Sequence, residues 1–314
     1  MWRKEAKQIA ARLRVGLALS GGAARGAAHV GVLKVLLDAG VPIDAVAGTS
    51  AGALVGGAFA SGMSVAELES LGREMRWRNF GRVTLSRLGV QSNARMEEYI
   101  RARFPVTRFE EMPIPFAAVA TDLHTGQAVV MCDEGDAAFA IRASCAVPGW
   151  YVPVTDATGR QLVDGGLVAN VPSLAARSLG PDIVIAVDVN SEGAKFLGPP
   201  QSAIGVLFQS MMVVQRTVST YEGRNADIVI RPKVGHIRWD EMTRAAELIA
   251  AGEEAAREAL AGIKSLLAPP VQEHTTWIQR LLHRPHANAI ERRPTHVSNA
   301  PHAREDGKHR TSSH

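Results

Sequence analysis

Residues 43–52 read Ile43-Asp44-Ala45-Val46-Ala47-Gly48-Thr49-Ser50-Ala51-Gly52, an apolar run that breaks into glycine, serine and alanine. Ile43 to Ala47 has the length and composition of a buried strand, and the small residues that follow, to about Ala60, read as a helix. A serine at such a strand-to-helix turn is forced into a strained conformation with its hydroxyl pointing out of the sheet. Gly48 and Gly52 on either side let neighbouring backbone pass without a Cβ clash. The helix that begins there adds a dipole favourable to a developing alkoxide. Ser50 is therefore a candidate nucleophile by its context; the bare G-x-S-x-G pattern also fits an incidental glycine-rich turn.

The same alternation continues on both sides. Upstream, Val15 to Leu19 reads as a strand ending at Ser20-Gly21-Gly22, and Val30, Leu33, Leu36 and Leu37 recur at helical spacing until Gly40 closes the helix. Downstream, Ser64 and Glu67 have the spacing of a capping box. Residues 77–92 show little periodicity and read as a loop-rich connection, after which Asn93 to Phe104 reads as a helix. Pro115 to Thr121 and Ala128 to Cys132 predict a strand pair around His124-Thr125-Gly126. Further strands are expected at Ile183 to Val187 and Asp227 to Ile230, with helices near 202–222 and 240–266. Strands alternating with helices in this way predict an α/β fold with a mostly parallel sheet covered on both faces.

Composition narrows the function classes. Lys and Arg number 35 against 31 acidic residues, a formal charge of +4. Residues 269–314 hold seven Lys/Arg and four acidic residues, so the body of the chain is close to neutral and nucleic acid is not implied. That segment, beyond Pro269-Pro270, also contains seven of the ten histidines and little apolar sequence. It reads as a largely disordered, His/Arg-rich tail, set apart from a 14–268 domain and a basic 1–13 segment. No stretch reaches the roughly 18 apolar residues of a membrane span, and the N-terminus lacks the apolar core of a secretory signal. Cytoplasmic residence is the expected default, with contact at the inner membrane surface left open. Cys132 and Cys145 are too few for a disulfide framework, and no metal-ligand spacing occurs, so neither a metal nor a cofactor is expected.

A serine nucleophile needs a base and an oxyanion site. Within the first 268 residues the histidines are His29, His124 and His236. His29 falls inside a helix, as a core histidine would, and nothing marks the other two. A Ser, Asp, His order could be assembled with His236, but the hydrolase fold that uses it places its elbow after several strands, and Ser50 follows two. Ser20-Gly21-Gly22-Ala23-Ala24-Arg25-Gly26 gathers backbone N–H groups at a helix start, which suits an oxyanion. It fails as a dinucleotide loop, because Ala23 and Ala24 stand where glycine is needed, and as a Walker loop, because Ala27-Ala28 follows Gly26. Asp164-Gly165-Gly166 after Leu162-Val163 is by itself only a turn signal.

Taken together these segments resemble the patatin-like phospholipase family, particularly its bacterial members. The resemblance covers about residues 14–266. It includes Ala23 to Gly26 with His29 to Leu33, the Gly48–Gly52 turn and Ala120-Thr121-Asp122-Leu123. It continues through Arg142-Ala143-Ser144 with Val147-Pro148-Gly149, and Asp164-Gly165-Gly166 with Asn170 and Pro172. It implies a three-layer α/β/α fold and a Ser–Asp dyad without histidine, with Ser50 as nucleophile, Asp164 as base and Gly21, Gly22 and Ala23 as the oxyanion loop. Ala23 departs from the glycine many members carry there; a positive φ at that position would strain it. Arg25 is expected to tie the loop down by an ion pair in preference to binding a substrate phosphate. The implied substrates are lipid acyl esters, of the phospholipase or lysophospholipase kind, hydrolysed through an acyl-enzyme. The apolar stretch Phe196 to Val214 would then be core, or else guard an acyl channel or touch a bilayer, and residues 77–90 would form a lid. The alternative is a regulatory or adaptor protein on the same fold, docking a partner through the tail.

Overall fold

The computed structural model describes residues 12–192 and 199–268. The expected tail at 269–314, Phe196-Leu197-Gly198 and most of the basic N-terminal segment lie outside these residues. Of that segment, Arg12 donates two hydrogen bonds to Asp44, at 2.7 and 2.6 Å, and Asp44 also accepts the Val15 N–H.

The chain runs β1 (Val15–Leu19), α1 (Ala28–Asp38), β2 (Ala45–Thr49), α2 (Ala51–Ala60), α3 (Val65–Glu74), β3 (Arg82–Val83), β4 (Gly89–Ser92) and α4 (Ala94–Arg103). It continues β5 (Phe116–Asp122), β6 (Ala128–Met131), α5 (Ala137–Ser144), β7 (Gly149–Tyr151), β8 (Val154–Thr155), β9 (Gln161–Asp164) and α6 (Ser173–Ser178). It ends β10 (Ile183–Val187), α7 (Ala203–Glu222), β11 (Ile228–Ile230) and α8 (Ala245–Leu267). The expected upstream helix divides, Ala23–Ala27 being a 3-10 turn ahead of α1. The Ser64–Glu67 capping box is present at the start of α3. Two stretches differ from expectation. Residues 82–92 form a hairpin, and α5, β7, β8, β9 and α6 were not legible, because each is short and gains its order from the sheet it packs on.

The main sheet has the hydrogen-bonded order β11-β10-β1-β2-β5-β9-β8, with β6 also on β5. The pairings among β11, β10, β1, β2 and β5 are parallel. Successive residues of β1 serve opposite faces. Leu17 and Leu19 join a large core with Leu33 and Leu36 of α1, Leu54 of α2 and Leu248 of α8. Ala18 joins a smaller core with Ala47, Ala117 and Val184, closed by Ala175 and Ala176 of α6. Burial on both faces explains why these strands read as continuous apolar runs with no alternation. The result is a three-layer α/β/α arrangement.

Register in β5 places the remaining pieces. β5 pairs with β2 through Phe116–Val119 and with β9 through Ala120–Asp122, while β6 spans both stretches through Ala118–Thr121. A strand has two edges, so β2 and β9 share one edge end to end and β6 takes the other. β2 is parallel to β5 and β9 antiparallel, so their C-terminal ends meet. Thr49 stands opposite Val119, and Asp164 opposite Ala120.

Candidate active site

Ser50 leaves β2 with φ 52° and ψ −121°, an uncommon conformation for a residue with a Cβ. Such a backbone costs on the order of 1–3 kcal/mol and persists only where the surroundings over-determine it. Here the Ser50 N–H donates to Ser144 Oγ at 2.8 Å, and Ser144 in turn donates to the Val119 carbonyl at 2.5 Å. Thr49 Oγ1 donates to the Ala169 carbonyl at 2.7 Å. Gly52 passes so close to Leu19 that a Cβ would run into its backbone, which is the close approach the second glycine of the turn permits.

Asp164 ends β9 and is 1% exposed. Its backbone is fixed on both sides, its N–H donating to the Ala146 carbonyl and its own carbonyl accepting from Thr121 Oγ1 at 2.9 Å. The carboxyl accepts the Gly166 N–H at 2.8 Å and lies in the same cleft as the Ser50 side chain. Burial raises its pKa to about 6, against the pull of the neighbouring Ser50 side chain and the Gly166 N–H, which favour the carboxylate. Gly165 backs directly onto the Val119 carbonyl, so a side chain there would push Asp164 away from β5. Cys145 is buried, and that burial, with the Asp164 charge acting on it, pushes the thiol pKa well up, so it remains neutral.

The loop after β1 lies alongside. Its Ser20 hydroxyl accepts from the Val189 N–H, and the buried His29 ring donates from Nε2 to the Ser20 carbonyl at 2.9 Å. The Gly21 N–H is committed to the Asn170 carbonyl at 3.1 Å. Of the three loop residues singled out from sequence, Gly21 is therefore occupied, while the N–H groups of Gly22 and Ala23 have no partner among the described residues. Ala23 does adopt a positive φ of 50°, as its departure from glycine warned. Gly26 packs on Ala51 at the start of α2. Arg25 is buried and donates to the Ile237 carbonyl at 2.8 Å and to Asn190 Oδ1 at 3.0 Å. These two bonds tie the loop to Asn190 and Ile237; burial lowers the Arg25 pKa, against the nearby charge of Glu192.

The histidines stand apart from this pair. Desolvation lowers the His29 pKa to about 4, so it is neutral and serves the loop. His236 is exposed and bonds Glu247 at 2.8 Å. Asp122 caps the turn at His124 and Thr125, and Asp188 accepts the Asn190 N–H. Among the described residues no group of three or more His, Cys, Asp or Glu could hold a metal ion. Sequence reasoning gave Ser144, Cys145 and Asn170 no role. Ser144 and Asn170 stand inside quoted motif stretches, but nothing in a linear pattern tells that they touch Ser50 or the loop.

Ser50 and Asp164 line a cleft together with Gly22, Ala23, Trp77, Val147, Trp150, Tyr151, Met211, Met212, Gln215 and Trp239. Behind the loop, a second pocket touches the same Ala23 and is walled by Leu54, Val55, Leu68, Leu71, Met75 and Met242. Within the apolar stretch expected as core or channel wall, Met212 is buried, whereas Val206, Leu207, Val213 and Val214 are exposed.

The family model described as patatin-like phospholipase matches residues 17–177, just over half of the chain. An uncharacterized NTE family protein of Mycobacterium tuberculosis is 36% identical over 193 residues, 60% of this chain and 52% of that protein. The patatin-like phospholipase domain-containing protein 6 of Mus musculus is 34% identical over 57% of this chain and 14% of its own length. The chain thus spans about half the length of the mycobacterial relatives it matches. Among solved structures, VipD from Legionella pneumophila superposes with a TM-score of 0.50 at 15% identity, covering 80% of this chain and 67% of that one; this likeness concerns the fold.

Two outcomes are expected of the backbone around Ser50. Ala23→Gly should relieve the positive φ and raise stability by a net ~0.5–1 kcal/mol, read from thermal or denaturant unfolding. Ser144→Ala leaves the buried Ser50 N–H and Val119 carbonyl unpartnered. It should cost about 1–3 kcal/mol of stability and about 10- to 100-fold in turnover of any reaction that uses the Ser50 hydroxyl. Full turnover in Ser144→Ala would mean that the turn keeps its shape without that bond.

Proposed function

We propose that this chain, which belongs to the patatin-like phospholipase family, is a serine hydrolase of lipid acyl esters working through Ser50 and Asp164. The observation that carries the reading is the strand register on β5, which sets the strained Ser50 turn against the buried Asp164 carboxyl in one cleft, where burial raises that carboxyl's pKa to about 6. An ordinary aspartate, near pKa ~3.9, is too weak a base for a hydroxyl; one whose proton affinity is raised by desolvation is better matched to neutral pH.

In this scheme Asp164 takes the Ser50 proton as Oγ attacks the ester carbonyl, and the N–H groups of Gly22 and Ala23 receive the oxyanion. Asp164 then returns the proton to the leaving alcohol, which frees the acyl-enzyme. The same carboxylate draws a proton from water, the hydroxide adds to the acyl carbon, and the carboxylic acid departs as Ser50 is reprotonated. Ser50 and Ala23 hold their donor and nucleophile geometry before substrate arrives, so little reorganisation is needed at the moment of reaction.

Support for a lipid ester comes from the lining of the two pockets. The aromatic and methionine walls of the cleft suit an apolar group beside the ester, and the second pocket offers aliphatic surface on the far side of Ala23. Residues 14–268 form the proposed hydrolase domain, in keeping with a compact unit that extends to Ala268.

A fluorophosphonate probe should label the chain once, at Ser50, and Ser50→Ala should lose both labelling and hydrolysis while keeping its fold; labelling that survives would move the nucleophile elsewhere. Asp164→Asn should cost on the order of 10²–10⁴-fold in rate on a soluble ester, whereas His236→Ala retains activity. Activity should fall on the acid side with an apparent pKa of about 6.

Stability should move the other way. The raised carboxyl pKa means that folded protein binds the extra proton between about pH 4 and pH 6, so wild-type stability declines as pH rises through that window. Asp164→Asn should therefore melt higher than wild type at neutral pH, with the gap closing below about pH 4. An equal melting temperature at all pH values would place an ordinary, solvated carboxylate at this position.

A further inference from the structure

Between Glu74 and Glu97 the chain carries five arginines, Arg76, Arg78, Arg82, Arg87 and Arg95, and no acidic residue. Within that stretch β3 and β4 form an antiparallel hairpin, Arg82 opposite Ser92 and Val83 opposite Gln91. Its apolar side chains face outward. Leu85 at the tip is fully exposed at 103% and Val83 is 75% exposed, with Leu88 at 57% and Val90 at 40%. Isolated exposed apolar residues are ordinary on a protein surface; four within eight residues on one projecting hairpin are not. None of these arginines forms an ion pair among the described residues.

The hairpin is tied to the mouth of the cleft on both sides. β4 pairs in parallel with β7, and the Val152 N–H donates to the Gln91 carbonyl at 2.8 Å. β7 carries Trp150 and Tyr151, which line the cleft. On the other side Trp77, also in the cleft wall, donates to the Asp240 carbonyl at 2.9 Å and packs edge-on against Trp239.

We propose that the 82–92 hairpin docks on an anionic lipid bilayer, its apolar tip entering the surface while the arginines meet the headgroup phosphates, so that the Ser50 cleft is held at the interface. The placement gains its meaning from the lipid-ester reading above, but the docking itself needs no catalysis. Charge decides between the hairpin and the other exposed apolar surface. α7 exposes Val206, Leu207, Val213 and Val214, yet its only charged residues are Arg216 and Glu222. The hairpin combines apolar reach with unpaired cations, the combination that favours anionic over neutral lipid.

The test is co-sedimentation of the full chain with phosphatidylcholine vesicles, with and without phosphatidylglycerol. Wild type and Ser50→Ala should bind the anionic vesicles alike, bind neutral ones weakly, and release as salt is raised. Arg82→Ser with Arg87→Ser should weaken binding about 30-fold, and Leu85→Ser about 10-fold. Both should hydrolyse a soluble ester at the wild-type rate. Hairpin variants that bind as tightly as wild type would overturn the proposal and place docking on α7 or the basic C-terminal segment. So would a wild type that ignores anionic vesicles, or a dimer in solution that the Leu85→Ser change dissociates. Failure of soluble-ester hydrolysis in wild type would instead remove the dyad reading and leave the vesicle result to stand or fall on its own.

Discussion

One edge of one strand carries the arrangement around Ser50. β5 offers adjacent positions, Val119 and Ala120, to the ends of two strands that arrive from opposite directions. Because β2 is parallel and β9 antiparallel to it, the residues that follow Thr49 and those at Asp164 are brought head to head. The Val119 carbonyl then accepts the Ser144 hydroxyl that holds the Ser50 N–H, and the tight approach of Gly165 keeps Asp164 against the same strand. A one-residue slip of β9 on β5 would turn the Asp164 side chain to the other face of the sheet.

The energetics around this edge run against local preference. Ser50 and Ala23 both hold positive φ, and Asp164 is buried where its charged form is disfavoured. Each feature is unfavourable alone, and each is held by bonds that come from elsewhere in the chain: Ser144 for the turn, Asn170 and His29 for the loop, Ala146 and Thr121 for the aspartate. The large apolar core on one face of the sheet and the alanine-rich core on the other supply the rigidity that makes such positions tolerable. In the proposed hydrolysis the same three features are the working parts, since a strained nucleophile, a desolvated base and unpartnered N–H groups all await a developing charge. Gly21 shows how strict the division is: its N–H closes the loop onto Asn170, while those of Gly22 and Ala23 have no partner among the described residues.

The proposed lipid-ester hydrolysis needs the cleft presented to an interface. The cleft wall contains Trp77 and Trp150, and these two residues flank, through β7 and the turn before β3, a hairpin that is basic and outwardly apolar. Catalytic geometry and surface geometry are thereby coupled through one small three-stranded sheet, β3-β4-β7, separate from the sheet that bears Ser50.

Much of this was legible in the amino-acid sequence. The strand-to-helix turn at 48–52, the loop at 20–26, the strands at 15–19 and 183–187 and the Ser64–Glu67 cap are set by short-range patterns: buried parallel strands are continuous apolar runs, and turns and caps need particular residues at fixed offsets. The three motifs could be identified one by one and joined by their order. Their meeting could not. Ser50 and Asp164 lie 114 positions apart, and only the shared edge of β5 brings them together, through short elements, β9 and α5, whose order comes from packing and leaves no periodicity to read. The same holds for Ser144 and Asn170, and for the exposure of 82–92, which read as a loop because four- and two-residue strands carry too few positions for an alternation to show. Sequence determined the local chemistry of each piece; tertiary structure decided which pieces touch, because strand register acts between segments far apart in the chain and is set by the core as a whole.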